Sequence, residues 1–313
     1  MIQQLYPGDP LLHIAALLLG LLLDYVYPRH GGLLLRIHPV PVAFHAARRL
    51  IPPGSSTMRG AIGALAVVVY VMAPYAALLY VSWLAGWPVW VVVAGVVVKL
   101  SIPVRLLFDT VARTSTCLEA GDLACARSVV QGIVRRDTSR LGPGHTASAA
   151  IESLSESLVD GIISPMMWYI ILGPLGALLQ RVVNTLDGAV GFKTGGYLRP
   201  GRPSALADTV MNYIPARLAA MLTIIGALFI GSSPAEVLKA WRLYRSATES
   251  RNAGHPMSAF AGALGVRLEK VGSYSIGSGR LPGPGDVGRA LALGYIVVLE
   301  MLALAISSII VLL

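Results

Sequence analysis

AIGALAVVVYVMAPYAALLYVSWL, residues 61–84, carries no charged side chain along its whole length. A helix that crosses a bilayer needs roughly 20 mostly apolar residues, and this stretch supplies them. Three more stretches meet or approach that length: Leu11 to Val26, Val89 to Phe108 and Ala290 to Leu313. Two weaker ones lie between them. Ile162 to Leu179 is broken at Gly173-Pro174, and Ala216 to Ile230 is short. Only 13% of the 313 residues are charged and 55% are hydrophobic, whereas a soluble domain carries about 25% charge. The predicted fold is therefore all-α. It is a polytopic membrane protein of about four full spans, two embedded or re-entrant segments and amphipathic helices on the inner face. Residues 1–313 form a single integral membrane domain, and no alternating strand pattern stands out.

Charge orients the chain. Tyr27 to Gly60 holds Arg29, Arg36, Arg48, Arg49 and Arg59 and no acidic residue, an inside signal. No Lys or Arg precedes Leu11 to Leu23 and no small-residue cleavage site follows it. It reads as a retained first span with its N-terminus outside. Three stretches bear the polar motifs, residues 109–160, 181–217 and 232–289, with five, five and eight Lys/Arg respectively. They share one face only if the two short segments stop within the membrane, which is tolerated where such backbone packs in protein or lines a wet cavity. The expected location is the cell membrane, multi-pass, with the active face cytoplasmic. The net charge of +9 then reflects loops facing an anionic lipid bilayer. Without a helix-turn-helix or RNP pattern, nucleic acid is not an expected partner. Cys117 and Cys125 sit in no CxxC or Cys/His cluster, so both are expected as small buried residues without a disulfide or zinc. His13 and His30 read as ordinary interfacial residues.

The sharpest polar feature is Ala149-Ala-Ile-Glu-Ser-Leu-Ser-Glu-Ser-Leu-Val-Asp160. A helix would stack Glu152, Glu156 and Asp160 on one face, where like charges repel. Either a magnesium ion serving phosphate chemistry or an ion-pair network with Arg135 and Arg136 could offset them. Upstream, Arg135-Arg-Asp-Thr-Ser-Arg140 combines arginine forks suited to phosphate or carboxylate with Asp137 and Ser139, which could equally cap the next helix. Asn184-Thr-Leu-Asp187 leads into Gly191-Phe-Lys-Thr-Gly-Gly-Tyr-Leu-Arg199, a glycine loop with Lys193, Tyr197 and Arg199 but without the Walker A order. Asp208 and Asn212 precede Tyr213-Ile-Pro-Ala-Arg217 and an apolar segment; Asp24 and His38-Pro39 lie near the end of the first span. Polar groups leading into membrane depth are costly unless partnered or functional. Asp122 is placed to cap a helix through Ala126, Val130 and Ile133. Asn252-Ala-Gly precedes His255 and the small-residue stretch Ala261-Gly-Ala-Leu-Gly265, which suits close packing.

These blocks, in this order, resemble the adenosylcobinamide-phosphate synthase (CobD/CbiB) family of cobalamin biosynthesis. The resemblance rests on several blocks: Asp24 with His38-Pro-Val40, then Arg136-Asp-Thr-Ser139, and Ala150-Ile-Glu-Ser153 through Glu156 to Asp160-Gly161. Asn184-Thr-Leu-Asp187, Val190-Gly191, Lys193, Tyr197, Arg199, Asp208, Asn212-Tyr213 and Pro215-Ala-Arg217 continue it. Asn252-Ala-Gly254 and Ala261-Gly-Ala-Leu-Gly-Val-Arg-Leu268 close it. Ser157 stands where the family pattern has Asn, and Arg251 where it has Pro, so Ser157 is not carried over as a site residue.

The resemblance implies an ATP-dependent acid–amine ligase. It would join aminopropanol or its O-phosphate to a side-chain carboxylate of adenosylcobyric acid, giving adenosylcobinamide or its phosphate. Glu152, Glu156 and Asp160 would hold Mg2+ against ATP. Lys193, Arg199 and Arg217 would neutralise phosphate, and Asp208 or His38 would take the ammonium proton. Arg136, Asp137, Asn184, Asp187, Tyr197, Asn212 and Asn252 complete the implied binding set. Other corrinoid-pathway enzymes are implied partners. Two rival readings are a transporter of a small ion or metabolite and a non-catalytic subunit of a corrinoid-pathway assembly. The missing inverted repeat and the clustering of motifs in one set of loops favour the enzyme.

Overall fold

Proline at helix starts and glycine at chain reversals set most boundaries in the computed structural model, which describes residues 7–313, the side chains of residues 33 and 34 excepted. Fourteen α-helices succeed one another among the described residues: α1 Pro10–Val26, α2 Gly32–Ile37, α3 Pro39–Leu50, α4 Thr57–Leu84, α5 Trp87–Ser101, α6 Val104–Glu119, α7 Leu123–Gln131, α8 Pro143–Leu158, α9 Ser164–Val190, α10 Arg202–Met211, α11 Tyr213–Gly226, α12 Pro234–Tyr244, α13 Gly254–Leu264 and α14 Pro284–Leu312. A π turn, Val159–Ile163, joins α8 to α9, and a 3-10 turn, Ala227–Ile230, extends α11. Strands β1, Leu268–Lys270, and β2, Tyr274–Ile276, form an antiparallel hairpin with Glu269 opposite Ser275. Among the described residues this hairpin is the one departure from the all-α reading, too short for alternation to register.

By length and apolarity, five helical runs among the described residues can cross a membrane: Thr57–Leu84, Trp87–Glu119, Pro143–Val190, Tyr213–Ile230 and Pro284–Leu312; α1, with 17 residues, is a shorter apolar helix. Both segments expected to be embedded thus lie in runs of spanning length. The break at Gly173-Pro174 is real but local: Gly173 has φ 62° and ψ −152°, and the helix resumes after it.

The chain divides into two units. The first comprises residues up to Val104, with 164–212 and 304–313. Here α1 packs on α5 so closely that a Cβ on Gly20 would lie 2.8 Å from the Gly95 carbonyl oxygen, the small-residue contact that membrane helices favour. The apolar face of α3, with Ala43, Ala47 and Ile51, packs with Val67 and Val71 of α4 and Leu178, Val182 and Leu186 of α9. His13 corrects the interfacial reading. It is fully buried, edge-on to Trp90 at 5.2 Å and to Tyr169 at 6.0 Å, with Nε2 2.9 Å from the Pro7 carbonyl oxygen. His30 also has partners: Lys99 Nζ meets its ring, which stands edge-on to His38 at 4.6 Å.

The second unit comprises residues 105–163 and 213–303. Asp122 caps α7, accepting from Cys125 N at 2.8 Å, as its position predicts. The cysteine expectation is corrected, because Cys117 and Cys125 form a disulfide. The reversal at Gly121, with φ 73°, brings their Cα atoms to 5.7 Å, within bonding reach across eight residues of sequence. Gly294 of α14 admits the Phe108 ring, which stacks on Tyr295 at 4.0 Å. In α13, a Cβ on Gly262 would lie 2.7 Å from the Ala240 methyl, so α12 and α13 pack backbone to backbone.

Candidate functional site

In the second unit, α8 presents Glu152 to a set of fixed donors. Ser148, one turn earlier, donates to Oε1 at 2.6 Å, and Tyr274 of β2 donates to Oε2 at 2.8 Å. Arg136 Nη2 lies 3.0 Å from the same Oε2. Ser148 Oγ also accepts from Glu269 N at 2.8 Å, which ties the β-hairpin to α8. Glu152 and Arg136 are both largely buried, and Arg136 Nε is buried without a hydrogen-bond partner. Glu156 follows one turn on, with Glu152, Lys270, Arg136 and Arg135 as its charged neighbours. Burial and the Glu152 charge push the Tyr274 phenol up, so it stays a donor.

Glu152, Glu156 and Asp160 are not gathered into one cage. Among the described residues no group of three or more His, Cys, Asp or Glu is placed to hold a metal. Asp160 lies in the π turn, whose wider winding shifts it from the four-residue spacing of an α-helix. Magnesium does not require a preformed cage. It keeps several waters and commonly takes one or two carboxylates plus substrate phosphates. With Glu152 Oε1 and Oε2 engaged by Ser148, Tyr274 and Arg136, Glu156 is the carboxylate that suits such a role.

A second group in this unit joins α11, α12 and α13. Arg217 Nη1 donates to Asn252 Oδ1 at 3.2 Å and to the Tyr213 carbonyl oxygen at 2.6 Å, and the guanidinium lies 3.5 Å from the Tyr213 ring centroid. His255 Nδ1 lies 3.0 Å from Trp241 Nε1. Indole can only donate, so Nδ1 accepts and the neutral ring carries its proton on Nε2. Burial, then Arg217 and Arg245, push His255 down to about 4.

In the first unit, the meeting of α9 with α10 builds an amide-rich network. Asp208 Oδ1 accepts from Asn184 Nδ2 at 3.2 Å and Asn212 Nδ2 at 3.0 Å. Gln180 Nε2 donates to Asn212 Oδ1 at 3.2 Å, and Arg181 Nε to the Ser101 carbonyl oxygen at 2.9 Å. Burial raises Asp208 above the usual carboxylate range, although the two amides and Arg181 pull the other way. His38 caps α3 instead, accepting from Val40 N through Nδ1 at 3.2 Å. Burial, then His30, Lys99 and Arg181, push it down to about 4. A base needs a free lone pair, and the one on His38 is occupied by the cap. Asp208 thus suits the base role better than His38.

Other sequence candidates lie elsewhere. Asp137 is exposed and closes its own turn, accepting from Ser139 N at 2.9 Å and Ser139 Oγ at 3.0 Å, which lowers its pKa. Lys193 and Arg199 are exposed on the glycine loop, where Gly195 and Gly196 take φ 61° and 80° and Gly196 O accepts from Gly54 N at 2.8 Å. Tyr197 is half-buried beside Phe192, and Asp187 packs one turn before Gly191. Ser148, Tyr274, Gln180, Arg181, Trp241 and His255 were not predicted as site residues. Ser148 and Arg181 stand one turn from Glu152 and three residues from Asn184, so helical spacing could have found them. Tyr274, 122 residues from Glu152, gives no local signal.

The sequence model of the family described as CobD/Cbib protein matches residues 17–294. A probable cobalamin biosynthesis protein CobD of Aeropyrum pernix is 49% identical over 283 residues, covering 90% of this chain and 88% of that protein. Its counterpart by name in Thermoplasma acidophilum is 37% identical, covering 84% and 87%. The cobalamin biosynthesis protein CobD of Dehalococcoides mccartyi is 38% identical, covering 68% and 70%. No solved structure matches. With most of its length matched and the motif blocks in order, the chain belongs to the CobD/Cbib family.

Proposed function

We propose that this chain is a membrane-embedded ligase of cobalamin biosynthesis. It joins aminopropanol or its O-phosphate to a side-chain carboxylate of adenosylcobyric acid. Family membership supports the role in cobalamin biosynthesis; the amide-forming step is the reading that best accounts for the polar groups. The observation that carries it is the Arg136–Glu152 pair, buried, held by Tyr274 and Ser148, and leaving Arg136 Nε without a partner. A guanidinium held by one carboxylate, with a spare buried donor, suits capture of an anionic ligand oxygen.

A carboxylate is a poor acyl donor, and ATP would activate it as an acyl phosphate, which the amine then displaces with loss of phosphate. Glu156 is the residue suited to Mg2+, which would arrive with the nucleotide and offset its charge. Arg136 would orient a ligand oxygen, and Arg217, fixed by Asn252 and stacked on Tyr213, would offset phosphate charge. Within the first unit, Asp208 Oδ2 is the oxygen on which neither amide donates, which suits Asp208 to the uptake of a proton. The test is turnover in nanodiscs with adenosylcobyric acid, aminopropanol phosphate, ATP and magnesium, read by mass spectrometry of the amide. ATP-dependent product, absent in a folded Glu152→Gln variant, is the expected result. No product from folded wild-type protein with either amine would favour the non-catalytic subunit reading.

A further inference from the structure

Arg36 and Arg49 line one cleft of about 880 Å³ in the first unit, together with His45. Its remaining wall is largely apolar and includes Leu35, Val42 and Tyr70. The three helices that frame it are α2, α3 and α4. Tyr75 OH donates to the Ile37 carbonyl oxygen at 3.0 Å, and a Cβ on Gly63 would meet the Leu50 carbonyl oxygen at 3.1 Å. Helix α3 therefore runs antiparallel along α4, and the cleft flanks an apolar helix of spanning length. Ile62, Leu65 and Val69 on α4 are exposed, as a lipid-facing surface would be.

Neither Arg36 nor Arg49 makes an ion pair among the described residues. The segment from Tyr27 to Gly60 offers them no acidic partner, and adds Arg29, Arg48 and Arg59 to the positive field. A long arginine can lay its stem on apolar surface and hold its charge at the rim. Charge and wall chemistry thus ask for one ligand with an anionic head and a hydrocarbon body. We propose that this cleft binds a phospholipid with an anionic headgroup, its phosphate on Arg36 and Arg49 and its acyl chains along Val42 and Tyr70. A free phosphate would leave the apolar wall wet. The neighbouring apolar face of α4 borders the cleft on the side from which a lipid would enter, and basic residues near a membrane surface attract anionic lipid.

Native mass spectrometry of the full chain tests this, with phosphatidylglycerol or phosphatidylcholine added in mixed micelles. The expected result is one saturable phosphatidylglycerol per chain, bound at least fivefold more tightly than phosphatidylcholine. Arg36→Gln with Arg49→Gln should weaken phosphatidylglycerol at least fivefold, whereas Arg48→Gln, outside the cleft lining, should not. A smaller preference in the wild type overturns the proposal. So does full binding by the folded double variant, or displacement of the lipid by millimolar inorganic phosphate. If the double variant does not fold, the wild-type preference alone decides.

Discussion

Glu152 in one unit and Asp208 in the other are carboxylates held in opposite ways. Glu152 meets a guanidinium, a phenol and a hydroxyl, each of them a donor. Asp208 receives two neutral amides on one oxygen and lies within the field of Arg181, and burial still raises its pKa. A carboxylate paired with a guanidinium and two hydroxyl donors is fixed in place and positions what surrounds it. A carboxylate held by amides keeps its place whether or not it is ionised, so it can exchange a proton without dismantling its support. The same functional group thus serves as an anchor in one unit and is equipped for proton transfer in the other.

Several substitutions can break or sharpen this contrast. Arg136→Gln has the largest expected effect, because removing one partner of a buried pair costs about 3–5 kcal/mol. Thermal unfolding in detergent measures it, and an unchanged midpoint would show that Glu152 needs no cation. Glu152→Gln should be milder for stability, since the amide oxygen can still accept from Tyr274, while turnover is lost.

Asp208→Asn should lower turnover on the order of 10²-fold with the fold retained. In the wild type, activity should fall as pH drops through a value above the ordinary carboxylate range. The stability contribution has the reverse sense. With the folded pKa raised, it is present at low pH and lost as pH rises through the folded value, and Asp208→Asn should remove that slope. Parallel pH–rate profiles for variant and wild type would dismiss Asp208 as the base.

His255 and His38, both pushed down to about 4, contribute stability that is fully present above about pH 6.5 and lost as pH falls towards 4. Trp241→Phe removes the donor on His255 Nδ1, which should cost about 1 kcal/mol and move that acid transition upward. An acid transition that stays in place would mean the indole does not set the tautomer. The gentlest test is Thr194→Cys on the exposed glycine loop. Among the described residues no cysteine is free, so an introduced thiol is the one to be labelled. Labelling by an impermeant reagent from outside would overturn the expected inner placement of residues 181–217.

How much of the molecule is legible in its sequence depends on the range of each interaction. Spans such as α4 and α5 announce themselves through apolar length alone, and the Asp122 cap through its position before α7. Arg136 was one of two named alternatives for offsetting Glu152, and the structure pairs the two. The partners that decide what each carboxylate does come from far along the chain: Tyr274 for Glu152, and Asn184, 24 residues away, for Asp208. The Cys117–Cys125 bond and the burial of His13 were likewise missed. Both depend on where helices turn and pack rather than on local pattern.

Helix α1 has 17 residues and α4 has 28. At 1.5 Å per residue they rise about 25 Å and about 42 Å, on either side of a hydrocarbon core about 30 Å thick. The first unit therefore carries apolar helices of two lengths, one short of that thickness and one beyond it. Were α1 to cross, the leaflets beside it would thin or its ends would be wetted, whereas α4 is long enough to reach past the hydrocarbon or tilt within it. In that case the thickness of the host membrane would load the first unit mechanically, and lipids of different chain length would change that load without touching a single polar group.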